Sequence, residues 1–183
     1  MLVQDSNIEK ALRQWLENVV IGLNLCPFAS RPHQDNLVRF ITSDAQNPPG
    51  LIKDITTELQ RLDQHPSNTL ETTLIAMPNC LADFYDYNDF LTELDTLLMK
   101  HGWQGVYQVA SFHPNYQFAG TQPKDKENLT NRSPYPLVHL IREASIEKAL
   151  KHHPDPQGIP QSNIELVEGL SAQQMKTLFG YLK

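Results

Sequence analysis

With 183 residues, 40% of them hydrophobic and 20% charged, the chain has the length and makeup of one globular domain spanning 1–183. A net charge of -6 gives no basic footprint for nucleic acid, and no apolar run is long enough to cross a membrane. Two cysteines are too few for a disulfide framework and no basic-then-apolar leader is seen, so a cytoplasmic protein with reduced thiols is expected.

Ser6-Asn7-Ile8-Glu9 has the spacing of a capping box. Ile8, Leu12, Trp15, Leu16 and Val19 then recur at helical spacing, and Gly22 suits the helix stop. Gly22–Ser30 is a tight apolar turn in which Pro27 biases Cys26 toward an extended backbone. Leu37–Ile41 is the first expected strand, and Pro48-Pro49-Gly50 is expected to break the chain after it. Leu51, Ile55, Leu59 and Leu62 mark a helix that must end by His65, before Pro66.

Thr72–Met77 is a second β-rich run. Tyr87, Phe90, Leu94 and Leu98 make another helical stripe, closed by His101-Gly102, and Val106–Phe112 is the third strand. A polar, turn-forming stretch follows to Tyr135. Pro136 is expected to open a helix with Tyr135 as its N-cap, because Ser133 and Tyr135 both precede prolines. His152–Gln161 looks like a surface connection, and Ser171 with Gln174 forms a second capping box ahead of Met175, Leu178, Phe179 and Leu182.

Strand, helix, strand, helix, strand implies an α/β fold: a small, mostly parallel sheet from two βαβ units, with the N-terminal helix and C-terminal helices packed on it. An additional strand within 114–130, or an antiparallel α+β arrangement, stays open. In the parallel arrangement the loops at 43–50, at 78–82 and from His113 onward share one rim of the sheet, where open α/β sheets bind ligands.

A loop as long as 113–135 is functional or disordered in most domains, and its aromatics Tyr116, Phe118 and Tyr135 speak for order. His113 at the strand end has a neutral-range pKa suited to proton transfer, or else it caps the strand. At the expected helix start the free N–H groups of Leu137 and Val138, beside Arg132, would favour an anion. His139, Arg142 and Glu143, spaced i, i+3 and i+4, would share a helix face. Cys26 has no local base to depress its pKa, so it is a nucleophile only if the fold brings His113 or His139 against it. Zinc on Cys26, His113 and His139 lacks the ligand spacing of known zinc motifs, so no metal is assigned and no cofactor is identified. Cys80 has no notable neighbours, and Asp125, Glu127 and Asn128 interleave with Lys124 and Lys126 as in a solvated turn.

GLNLCPFA at 22–29, ETTLIAMP at 71–78, ASFHPNYQFAG at 110–120 and NLTNRSPYPLVHLIREASIEKA at 128–149 resemble the signature segments of a bacterial domain-of-unknown-function family, DUF1415. The resemblance covers nearly the whole chain. It implies a stand-alone bacterial protein and draws attention to Cys26, His113, Asn131, Arg132, His139 and Arg142, without giving any of them a role.

The expectation from these residues is a small-molecule enzyme with an anion site built from 112–143. Arg132, Arg142, Asn131 and Tyr135 would bind a small anionic ligand, and His113, His139 or Cys26 would carry the chemistry. A non-enzymatic ligand-binding or regulatory module is the alternative. A third reading makes the loop a staple that ties Asn131, Arg132 and Glu143 to the sheet.

Overall fold

Val38–Thr42 (β1), Thr72–Ala76 (β2) and Tyr107–Phe112 (β3) form close to where the sequence places them, and Leu137–Arg142 (β4) joins them as a fourth strand. The computed structural model describes residues 2–182, with side chains from Ser6 onward. The strand order is β1-β2-β4-β3. Only β1 and β2 pair in parallel; β4 lies antiparallel to both its neighbours, with Leu74 opposite His139 and Phe112 opposite Leu137. The sheet is therefore mixed rather than mostly parallel. Because β4 opposes both neighbours, β1, β2 and β3 still run the same way, and the loops after them do share one rim.

β4 replaces the helix expected at Pro136. Leu137, Val138, Leu140 and Ile141 fit either period over so short a run, and length alone cannot separate a buried strand from a buried helix. A central strand covered on both faces is apolar on both, so the run satisfies a period of two as well as a helical stripe. His139 and Arg142 consequently face opposite sides of the sheet, and Glu143 opens the next helix, α5 (Glu143–Leu150).

Two apolar clusters flank the sheet. Helices α3 (Pro48–Gln64) and α4 (Phe84–Lys100) cover one face, burying Leu51, Ile55, Leu59, Phe90 and Leu94 against Ile75, Val138 and Leu140. Each such side chain contributes about 2 kcal/mol by leaving water. On the other face α1 (Leu2–Trp15), a π-helical continuation (Leu16–Ile21), α6 (Ile159–Glu168) and α7 (Ala172–Leu178) enclose Leu74, Ala76, Leu129 and Leu137. A short α2 (Ser30–Gln34) leads into β1.

Two local expectations are corrected. α1 is already helical at Leu2, so Ser6 and Glu9 lie inside it, and Glu9 bonds forward to Arg13 at 2.8 Å instead of capping. Pro48-Pro49-Gly50 does not break the chain after β1 but is the first turn of α3, where missing N–H groups cost nothing, and Asn47 caps it by accepting from Gly50 N–H. The capping box at Ser171 and Gln174 and the helix end at His101-Gly102 form as read, with Gly102 at φ +71. Gly22 ends the π segment through close packing: a Cβ there would lie 2.4 Å from the Asn18 carbonyl oxygen.

Candidate functional site

The rim formed by the ends of β1, β2 and β3 carries the long loop 113–136, which folds back along the open side of β3. Its first residue, His113, is fully buried against the rings of Phe84 and Tyr87. His113 Nδ1 accepts the Asn115 N–H (3.0 Å), so Nε2 carries the proton and donates to the Leu81 carbonyl (3.1 Å). Burial pushes its pKa below the ordinary histidine value, against a partial offset from the Leu81 carbonyl and the Asp83 charge. Leu81, which presents that carbonyl, has φ +59, unusual for a side chain of its size.

The loop is held by its own polar side chains. Asn128, with no exposed surface, accepts from Phe118 N–H and Thr121 Oγ1 and donates to the Gln122 carbonyl. Asn131 donates to the Ser111 carbonyl and accepts the His113 N–H on its own carbonyl, so it covers the end of the β3 edge. Lys126 reaches across to the carbonyls of Glu168 and Leu170 at the end of α6. Ser133 closes on the Tyr135 carbonyl, and Tyr135 packs into the cluster under α1.

Arg132 is half-buried, with Nε on the Tyr116 carbonyl (3.3 Å) and Nη2 on the Pro123 carbonyl (2.5 Å). Its own carbonyl accepts from Trp15 Nε1 and the Tyr181 hydroxyl. Among the described residues no carboxylate pairs with this guanidinium, and Nη1 donates to none of them. Burial lowers its pKa from the usual arginine value.

Two candidates lie elsewhere. Arg142 stands at the far end of β4, roughly 17 Å along the strand from Leu137. There Nη2 donates to the carbonyls of Leu62, His65 and Leu70, and the guanidinium lies over the Tyr107 ring. His139 faces the α1 side of the sheet. Thr72 Oγ1 gives its only proton to the Leu140 carbonyl, so His139 Nε2–H must donate to Thr72 (2.5 Å). Burial lowers the pKa of His139 to about 4.

Cys26 is a partly buried thiol whose pKa is raised by burial, with a partial offset from the backbone of Phe28 and Ala29. Cys80 shifts the same way and for the same reason. Among the described residues no three histidine, cysteine, aspartate or glutamate side chains are placed to hold a metal ion. The rim thus collects His113, Asn131, Arg132 and Tyr135, while His139 and Arg142 sit apart from it and from each other. The anion site at a helix start is absent because the helix is a strand.

Three further polar residues escape a reading by sequence pattern. Tyr87 sits in the apolar stripe of α4, yet its hydroxyl accepts the Phe112 N–H (3.0 Å) and donates to the Leu137 carbonyl (2.8 Å), bridging β3 to β4 where the ladder ends. Asn128 lies in a lysine-flanked turn that reads as solvated. Glu58 is buried within α3 and bonds to Arg39 of β1, with Arg61 beside it. Its i+3 spacing to Arg61 was visible in sequence; its burial was not.

A family model described as a protein of unknown function, DUF1415, matches residues 7–177. No curated protein and no solved structure matches the chain.

Proposed function

The chain belongs to the DUF1415 family, and for this member we propose a non-enzymatic module that binds a small anionic ligand at Arg132. One observation carries the reading. A half-buried guanidinium is oriented by the Tyr116 and Pro123 carbonyls while, among the described residues, its charge meets no carboxylate and Nη1 no acceptor. Cations withdrawn from water are ordinarily paired, and a guanidinium fixed on one side presents its remaining donors to a carboxylate or phosphate oxygen. A small-molecule enzyme at 112–143 is the competing reading. It needs His113, His139 or Cys26 to react, and these side chains favour binding instead. Each histidine spends Nε2–H on a fixed partner, and the thiol is shifted away from its nucleophilic form.

Thermal shifts with phosphate, sulfate and citrate against chloride at matched ionic strength test the proposal. Occupancy at ten times Kd adds about 1.4 kcal/mol, a rise of about 3–5 °C at this size. The wild type is expected to respond to at least one of these anions, and Arg132→Lys, which keeps the charge and loses the fork, to respond less. Equal responses in both proteins, or none in either, overturn the anion site. A conversion of substrate lost in His113→Gln at unchanged Tm would establish the enzyme reading instead.

A further inference from the structure

Both long sides of the sheet turn backbone groups outward. At β3 the loop bonds the end of the edge, where Asn131 donates to the Ser111 carbonyl. At β1 the Leu37 carbonyl accepts from Glu71 and Thr72 while Ser43 N–H donates to Ala76, so the odd-numbered residues bond inward to β2. Alternation then turns the N–H and C=O groups of Val38, Phe40 and Thr42 outward, and among the described residues none of them meets another hydrogen-bonding group. A cleft of about 210 Å³ between this edge and α1 is lined by Glu9, Leu12, Phe40, Ile41 and Thr42.

We infer that this edge pairs antiparallel with the β1 of a second copy of the chain, centred on Phe40, to make one continuous eight-stranded sheet from two four-stranded ones. The register is self-consistent. Outward-bonding residues meet outward-bonding residues, with Phe40 opposite Phe40 and Val38 opposite Thr42. On the other face Arg39 lies opposite Ile41. No like charges stand directly across, and β-branched and aromatic pairs of this kind stabilise antiparallel ladders. The neighbouring surface of α1 and its π-helical continuation carries Glu9, Lys10, Arg13 and Glu17, two acids and two bases, in a chain whose net charge is -6. Two copies can therefore approach at this neutral patch without the mutual repulsion that the rest of the surface imposes. Arg39 is not a free edge charge that would oppose pairing, because Glu58 holds it at 2.8 Å.

Sedimentation velocity over a concentration series is the first measurement, on the full chain. The wild type is expected to form dimers, and Thr42→Pro to shift the population toward monomer at the same concentration. That substitution removes an outward N–H while leaving the inward ladder to β2 intact. Register is read by disulfide trapping after Cys26 and Cys80 are replaced by serine. Phe40→Cys faces its own copy at a Cα separation of about 5.5 Å and is expected to cross-link, whereas Val38→Cys is not. The folded state of each variant is checked by circular dichroism, and Thr42→Lys, which keeps the N–H and places a charge at the edge, is measured beside Thr42→Pro. A wild type that stays monomeric throughout overturns the proposal. So does a dimer unaffected by both Thr42 variants, or equal cross-linking at positions 38 and 40. Failure of anion binding at Arg132 has no bearing on any of these outcomes.

Discussion

Protonating His139 in the folded chain puts a charge where burial disfavours it, so the unfolded chain takes up that proton more readily. The imidazole's folded pKa of about 4 lies below its ordinary 6.5. Its contribution to stability is therefore complete above about pH 6.5 and is lost as pH falls toward 4, with a ceiling of about 3 kcal/mol. His113 is shifted in the same direction and adds to the same slope. Chemical denaturation between pH 7 and 4.5 is expected to show this loss, and His139→Gln, which keeps a donor for Thr72, to reduce it by about 2 kcal/mol. At this scale the sequence singled out polar and titratable residues but could not give their partners. Spacing cannot tell that the only proton on Thr72 goes to Leu140, which decides the His139 tautomer. Nor can it tell that Nη2 of Arg142 ends on three carbonyls of the segment 62–70.

Among the elements, the helices that pack one face were readable, and β4, which packs two, was not. The stripes of α3 and α4 have one apolar side, so their periodicity gives both their type and their orientation. β4 is covered on both sides and has no such asymmetry, which is why a helix fitted its six residues as well as a strand did. The loop 113–136 stands out in the sequence by its length and aromatics. Its order, however, comes from buried amides such as Asn128, which no pattern distinguishes from a solvated one. The end of the ladder between β3 and β4 is closed by a single phenol. Tyr87→Phe strands the Phe112 N–H and the Leu137 carbonyl, and is expected to cost about 1–3 kcal/mol in chemical denaturation. Hydrogen exchange should show the Phe112 amide losing protection ahead of the rest of the sheet. If Tyr87→Phe proves as stable as the wild type, the strands close directly and the hydroxyl is dispensable.

For the whole molecule, Arg142 joins the end of the central strand to the turn after α3. Arg142→Met is expected to lower stability by about 2 kcal/mol or more, since three carbonyls lose a charged donor together. Limited proteolysis should then cut first within 63–70; cleavage that begins elsewhere would mean the turn is held by other contacts. The shared rim was predictable because the connections through α3 and α4 return the chain to the same end of the sheet. The strand order was not, because nothing in 106–112 indicates that a position beside β2 is being left empty. That vacancy has a consequence for how the chain is made. A ribosome delivers β1, α3 and β2, then α4 and β3, yet β3 has no neighbour in the sheet until residues 137–142 emerge. Until then the nascent chain carries an unmatched β3 and an open edge on β2, and a stall or truncation before Arg142 leaves both free to pair with the wrong chain.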